Sequence, residues 1–311
     1  MQIVRYRIEY KEMWDSFIDS ARNSHFFFKR DYLEYHSNRF KDYSLLIFNK
    51  KKLISILPAN IDNNILYSHQ GLTFGGLILN RDIKTIQILE IFELLYNYLK
   101  DNSIVKMIYK SIPYIYHRMP SEEDRYALFR LNAKLIRRDI SSTIALSSEF
   151  KYSKLRRRVI NRAKRESLEI VKSDNYREFW RVLREILRVK YRVSPVHSLE
   201  EIEYLASRFR DNIKLYIVKR DYRLLAGTII YENRDIVHTQ YLANSIEGKE
   251  IGALDLLIDY LITNIYRDKR YFDFGISTEN GGRYLNSGLI SQKEGFGARG
   301  VVHDFYELEI V

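Results

Sequence analysis

The sequence predicts an α/β (α+β) fold made of two similar domains, each a mixed β-sheet flanked by helices. Three observations predict it. One order of helical and strand-like patterns occurs twice, about 170 residues apart, far more than the roughly 20–50 residues of a solenoid unit. Each copy contains a strand-helix-strand passage, which needs a crossover and so places a parallel pair inside its sheet. The 311 residues are 46% apolar and 14% aromatic, enough to build sizeable cores and too much for a disordered chain.

In the first copy, helical periodicity covers about 11–22 and 29–40. Strand-like runs follow at YSLLIF, KLISILPANI and NILYSHQGL, separated by turn residues at Asn49 and Lys50 and at Asp62 to Asn64. The amphipathic IKTIQILEIFELLYNYLKDN is the crossover helix, and IVKMIYKSI is the strand it leads to. SEEDRYALFRLN opens with Ser121 and Asp124 at capping-box spacing, and KLIRRDISSTIAL closes the half as a strand.

The second copy repeats this order. Helices are expected from Asn175 to Val189 and from Ser198 to Arg210, the latter with Ser198 and Glu201 as a capping box. Strands IKLYIVKR, LLAGTIIYE and IVHTQYLA lead to the crossover helix ALDLLIDYLITNIYRD and the strand YFDFGIS. A short helix around Tyr284 to Lys293 and the strand GVVHDFYELEIV complete the half. The expected organisation is a domain at 1–148, a basic connecting helix at 149–172 and a domain at 173–311.

Composition removes several chemistries. Without cysteine there is no disulfide scaffold, thiolate nucleophile or zinc ribbon. No pair of histidines has the helical spacing of a metal site, and there is no G-x-S-x-G elbow, P-loop or G-x-G-x-x-G, so no metal cofactor is expected. MQIVRYRIEYKEMW alternates apolar and charged residues and lacks the apolar run of a signal peptide. The best apolar stretch, Ala253 to Tyr266, carries Asp255 and Asp259 and is too short to span a bilayer, so a cytoplasmic location is expected. Free use of Tyr, Ile and Asn fits an AT-rich bacterial genome.

The net charge of +11 is concentrated. KYSKLRRRVINRAKRESLEIVK, Lys151 to Lys172, holds nine Lys or Arg against Glu166 and Glu169, a net +7. Such a run is either a docking face for phosphates, RNA or anionic headgroups, or a solvated helix whose apolar positions Leu155, Val159, Ile160, Ala163 and Leu168 face inward.

An anionic ligand belongs at the N-terminus of the second crossover helix, where free N–H groups and the helix dipole point outward. The residues there are Gly248, Lys249, Glu250, Ile251, Gly252 and Ala253. Gly252 and Ala253 permit close approach of the backbone, and Lys249 supplies a cation. The same spacing also suits a plain turn. The matching place in the first half, HQGLTFGGLILNRDIKT, has glycines but no preceding cation.

The segment from Tyr271 to Arg299 carries D-F-G-x-S, N-x-G-L and K-E-x-F-G-A. Together these resemble the C-terminal signature of the FemABX-like branch of the GNAT superfamily, and of acetyltransferase-type proteins from cell-envelope polysaccharide clusters. Lys249-x-x-Gly252-Ala253 resembles a shortened GNAT pyrophosphate loop, and RRRVINRAKRESLEI and TFGG resemble further segments of the family.

The resemblance implies tandem GNAT domains, with the acyl donor held in the second, between IVHTQYLA and YFDFGIS. The acceptor is expected on the first domain or in the cleft between the two. It implies an N-acyltransferase moving an acyl group, acetyl above all, from acetyl-CoA or another acyl-CoA as co-substrate to an amine of a lipid- or nucleotide-linked saccharide precursor. Lys293 falls on the family lysine that places positive charge near the developing oxyanion. Its usual aromatic neighbour is Gln292 here. His238 is a candidate base, Asp273 orients an amine or ends its strand, and Tyr284 is a candidate acid for the departing thiolate. Two alternatives remain open. One is FemX-like transfer from aminoacyl-tRNA to a peptidoglycan precursor; the other is a degenerate, non-catalytic GNAT module that binds a saccharide or protein.

Overall fold

The computed structural model describes residues 1–191 and 193–311. Two compact units emerge, one of Met1–Asp139, Glu279–Tyr284 and Val302–Val311, the other of Ile140–Thr278 and Leu285–Val301.

Unit 1 contains β1 (Gln2–Arg5), α1 (Lys11–Ser20), α2 (Arg30–Glu34), β2 (Lys41–Asp42), β3 (Leu45–Asn49), β4 (Lys52–Leu57), β5 (Asn60–Asp62), β6 (Ile65–Tyr67), β7 (Ile78–Leu79), α3 (Thr85–Asp101), β8 (Lys106–Lys110), α4 (Glu123–Arg130) and the first part of β9 (Lys134–Ala145). Strands β1, β3, β4 and β7 form an antiparallel sheet. Strands β6 and β8 form the parallel pair expected around the crossover helix α3. Helix α3 buries Ile88, Ile91, Phe92, Leu95 and Leu99, a single stripe that packs into the core with Leu45, Leu57 and Met107.

Unit 2 contains the rest of β9, then α5 (Lys154–Ala163), β10 (Glu169–Ser173), α6 (Tyr176–Ile186), α7 (Leu199–Arg208), β11 (Ile213–Arg220), β12 (Arg223–Glu232), β13 (Ile236–Asn244), α8 (Ile246–Ile251), α9 (Ala253–Tyr260), β14 (Tyr271–Ile276), β15 (Thr278–Glu279, its Glu279 in unit 1), β16 (Tyr284–Leu285, its Tyr284 in unit 1), α10 (Ser287–Glu294) and the start of β17 (Arg299–Glu309). Strands β10 to β13 pair antiparallel in sequence order, and β13 pairs parallel with β14. Leu224–Tyr231 of β12 is buried without alternation, as for a central strand covered on both faces. Helix α9 is buried all round, and Leu254, Leu257 and Ile258 each contribute roughly 1.5–3 kcal/mol by leaving water.

Several expectations change. The closing strand of each half is shared differently: Ser141–Ala145 pair with β14 in unit 2, and Phe305–Glu309 pair with β8 in unit 1. The basic segment is not one helix, because α5 ends at Ala163 and Glu169–Ser173 form a strand along β11. Ser121 and Asp124 make no capping box; Ser121 accepts from Arg22 Nε and Asp124 from the Tyr109 hydroxyl, pulling both side chains away from the helix end. Tyr284 lies in a two-residue strand, and the helix begins only at Ser287, capped by Asn286. The Ser198 capping box does form, with Glu201 returning to the Ser198 N–H. Among the described residues, no helix is long and apolar enough to cross a membrane.

Candidate active site

The site of unit 2 begins where two strands part. Parallel pairing joins Ile236–His238 to Tyr271–Asp273 and then stops, while β13 continues to Asn244. A bulge at Gln240, between Tyr241 and Thr239 in the pairing with β12, bends β13 at this point. Beyond the split lies a cavity of about 460 Å³. Leu242 and Asn244 of β13, Phe274 of β14, Leu254 and Ile258 of α9, and Leu289 of α10 line it. Three cations also reach it, Arg156, Lys249 and Lys293, against one carboxylate, Asp255.

The end of β14 is tied to the side chains around it. Gly275 adopts a left-handed φ of 76°, and a Cβ there would stand 3.0 Å from His238 Cε1, so the imidazole packs directly over this glycine. Lys293, on α10, donates to the carbonyls of Gly275 and Ile276 at 2.8 and 2.7 Å and to Ser277 Oγ at 2.9 Å. All three ammonium hydrogens are thereby engaged, so Lys293 holds the strand end and acts on the cavity through its charge rather than by a direct hydrogen bond. Burial pulls its pKa down to about 8, opposed by nearby Asp273.

His238 and Asp273 form a dyad. Nδ1 of His238 lies 2.7 Å from Asp273 Oδ2, and Ser141 and Thr143 hydroxyls donate to Oδ1 at 2.5 and 2.7 Å. Asp273 is fully buried, whereas the His238 side chain keeps 15% exposure. A carboxylate so surrounded favours the tautomer with its proton on Nδ1, leaving Nε2 as acceptor. That arrangement suits a general base. Ser141 and Thr143 escaped sequence reasoning because only strand register brings them to residue 273.

The expected pyrophosphate segment is not an open loop. Residues Ile246–Ile251 form the short helix α8, and Gly252 turns the chain into α9 with a φ of 86°. A Cβ on Gly252 would come within 2.6 Å of Val159, and one on Gly248 within 2.4 Å of the Leu225 carbonyl. Both glycines therefore serve close packing, Gly252 against the basic helix α5. Glu250 is exposed, Ile251 joins the core edge, Ala253 is buried, and Lys249 alone of the six residues lines the cavity. The N–H groups at the start of α9 have no acceptor within the helix, as at any helix start. Arg156 of α5 pairs with Asp255 in that turn, offsetting the one carboxylate that would repel a phosphate. Burial raises the Asp255 pKa, and Arg156 opposes the rise. Tyr284 falls in the other unit and is 54% exposed.

Unit 1 has a different interior at the corresponding strand pair. The chain at 68–76 folds tightly there: a Cβ on Gly75 would be 1.9 Å from the Ser68 carbonyl, and one on Gly76 would be 2.6 Å from the Tyr109 hydroxyl. Lys110 secures the segment by donating to the carbonyls of His69, Gln70 and Leu72 at 3.0, 3.2 and 2.6 Å. The T-F-G-G glycines are thus packing residues, and its own chain occupies this part of unit 1.

A split parallel pair, a bulged strand and a cavity against the crossover helix are the features of the GNAT fold. Residues 151–284 match the family described as Acetyltransferase (GNAT) domain. The chain carries a GNAT domain at residues 151–284, and its whole-length fold is the tandem-GNAT fold shared by the FemABX-like branch. It is similar to FemX at 9% identity, covering 98% of this chain and 97% of that one with a TM-score of 0.70. L-PGS from Bacillus licheniformis is 14% identical over 96% of this chain and 91% of its own, with a TM-score of 0.64. A tandem GNAT protein from the clavulanic acid biosynthesis pathway is 9% identical over 100% and 98%, with a TM-score of 0.50. No curated protein matches the sequence.

Proposed function

We propose that this chain is an N-acyltransferase that moves an acyl group, acetyl above all, from acyl-CoA to an amine of a cell-envelope saccharide precursor. The observation that carries the reading is the 460 Å³ cavity between diverging β13 and β14, bordered by the first turn of α9. Apolar side chains such as Leu242, Leu254, Phe274 and Leu289 offer a surface for a pantetheine arm, and Arg156 and Lys249 offer cations for phosphates. The saccharide acceptor rests on the motifs between Tyr271 and Arg299.

In this reading the acceptor amine attacks the thioester carbonyl directly, since the chain has no cysteine to carry an acyl group. His238 Nε2 takes the amine proton, and Asp273 steadies the imidazolium through Nδ1. The charge of Lys293 and the N–H groups near the Gln240 bulge stabilise the tetrahedral oxyanion. CoA leaves as the thiolate, which takes its proton from solvent, and Lys249 with the start of α9 faces the pyrophosphate. Incubation with acetyl-CoA and amino sugars tests this through release of free thiol, against which the cysteine-free protein gives no background. Thiol release that depends on the sugar supports the reading; none with any amino sugar or acyl-CoA counts against it.

Transfer from aminoacyl-tRNA is the second reading. It is favoured by the exposed Arg157, Arg158, Arg162, Lys164 and Arg165 on and just beyond α5. A gel shift with charged tRNA across a salt series tests it, because phosphate contacts weaken steeply with salt.

A further inference from the structure

Helix α6 carries a second basic feature, separate from α5. Arg177, Arg181 and Arg184 follow one another at i, i+4 and i+7 on α6, so they share one face, and Arg188 continues that spacing in the π-helical turn Leu187–Tyr191 just beyond it. The opposite face is the buried one, through Tyr176, Phe179, Trp180 and Leu183. All four arginines are exposed and line a groove of about 500 Å³ walled by Val193, Pro195 and Leu199. None of the four forms an ion pair among the described residues, whereas Arg156, Arg220 and Arg223 of the same unit are paired. Among the described residues, Glu185 is the one acidic residue lining the groove. Glu200, at the start of α7, feels Arg177 and Arg184 only weakly beside its own N-terminal hydrogen bonds.

The apolar residues beside this stripe are as unusual as the charges. Val189, Val193 and Val196 are 75, 53 and 78% exposed within a few residues of Arg188. Leaving three aliphatic side chains in water next to four unpaired arginines is costly for a free surface and unhelpful to a nucleic acid. Bases would need a stacking face, and among the described residues lining the groove the aromatic is Trp180, only 2% exposed. Arginines that meet phosphates while neighbouring valines enter the acyl boundary are instead the two signals that peripheral attachment to a bilayer requires.

We infer that the exposed face of α6, with Arg188, Val189, Val193 and Val196 beyond it, docks this protein onto an anionic phospholipid surface. Attachment is peripheral and reversible, by charge and shallow apolar contact together. It stands apart from the donor reading, which concerns the cavity between β13 and β14.

Co-sedimentation with vesicles tests it, using phosphatidylcholine alone and phosphatidylcholine with phosphatidylglycerol. The intact chain is expected to pellet with the anionic vesicles only, and to be released by high salt. Arg181→Ala with Arg184→Ala should lower partitioning about 30-fold, from roughly 5-fold per arginine. Val196→Asp should lower it several-fold at unchanged net arginine count. Both variants replace exposed side chains, and circular dichroism checks that they remain folded. No binding to anionic vesicles overturns the inference, as does binding that both variants retain, which would move the contact to α5. Capture of single-stranded RNA by the α6 stripe without vesicle binding overturns it in favour of a nucleic acid. Acyl-CoA binding measured in parallel reports separately on the donor site, so failure of one reading leaves the other legible.

Discussion

His238 Nδ1 and Asp273 Oδ2 are 2.7 Å apart, and the second carboxylate oxygen is held by Ser141 and Thr143. A base fixed in this way loses its proton-accepting nitrogen when the imidazole is removed. His238→Gln should lower kcat by roughly 10²–10⁴-fold and leave acyl-CoA affinity unchanged. Steady-state kinetics with parallel calorimetric titration of acyl-CoA measure both. Full activity in this variant would remove the dyad from the chemistry.

Lys293 gives the reaction an alkaline limit. Its folded pKa of about 8 lies below the ordinary 10.5, so the positive charge is lost as pH rises through 8. The rate at saturating substrate should fall above that pH, and Lys293→Met should be slow but lack this limb. The folding linkage has a defined sign. Between pH 8 and 10.5 the unfolded chain holds a proton that the folded chain has released, so wild-type stability gains on Lys293→Met as pH rises in that window. Denaturant melts at pH 7.5 and 10 compare the two proteins.

Gly252 tests packing more than ligand binding. Its φ of 86° and the 2.6 Å approach of Val159 to a built Cβ both oppose any side chain. Gly252→Ala should destabilise unit 2 by more than about 1 kcal/mol. Adding Val159→Ala should recover the steric share while leaving the backbone share. Equal melting of wild type and Gly252→Ala would contradict the geometry.

Arg156 and Asp255 form a pair with little solvent access, their side chains 15% and 8% exposed. Removing one partner strands a charge in a poorly solvated place, which typically costs about 3–5 kcal/mol. Arg156→Met should therefore lose stability, and Arg156→Met with Asp255→Leu should regain most of it. The single variant should also bind acyl-CoA more weakly, because the Asp255 carboxylate then faces the phosphates uncompensated. Thermal melts and titrations separate the two effects.

Local signals were legible where local physics decides them. Strand IKLYIVKR spans Ile213–Arg220 as its apolar pattern predicts, and Ser198 caps α7 because its hydroxyl accepts from the Glu201 N–H three residues on. The Ser121–Asp124 spacing misled because Arg22 and Tyr109, distant in sequence, compete more strongly for those oxygens. The helical pattern at 29–40 yields only Arg30–Glu34, since Tyr32 and Leu33 are drawn into the core and His36 and Phe40 pack around Gly71. Motif text pointed to Lys293, but not to the Gly275, Ile276 and Ser277 oxygens that absorb its hydrogens. Ser141 and Thr143 carry no signature of their own, and Arg156 stands out only as part of a basic run; register and helix packing bring them to the site.

Calorimetric titration of acetyl-CoA into the wild-type chain and into Leu289→Trp tests the donor cavity most directly. Leu289 lines the cavity from α10, so a tryptophan there fills the space proposed for the pantetheine arm while the rest of unit 2 is untouched. Saturable binding to the wild type, lost or weakened at least tenfold in Leu289→Trp with an unchanged melting temperature, is the predicted result. Absence of binding by acetyl-CoA and longer acyl-CoAs, or equal affinity in both proteins, would contradict a thioester donor between β13 and β14.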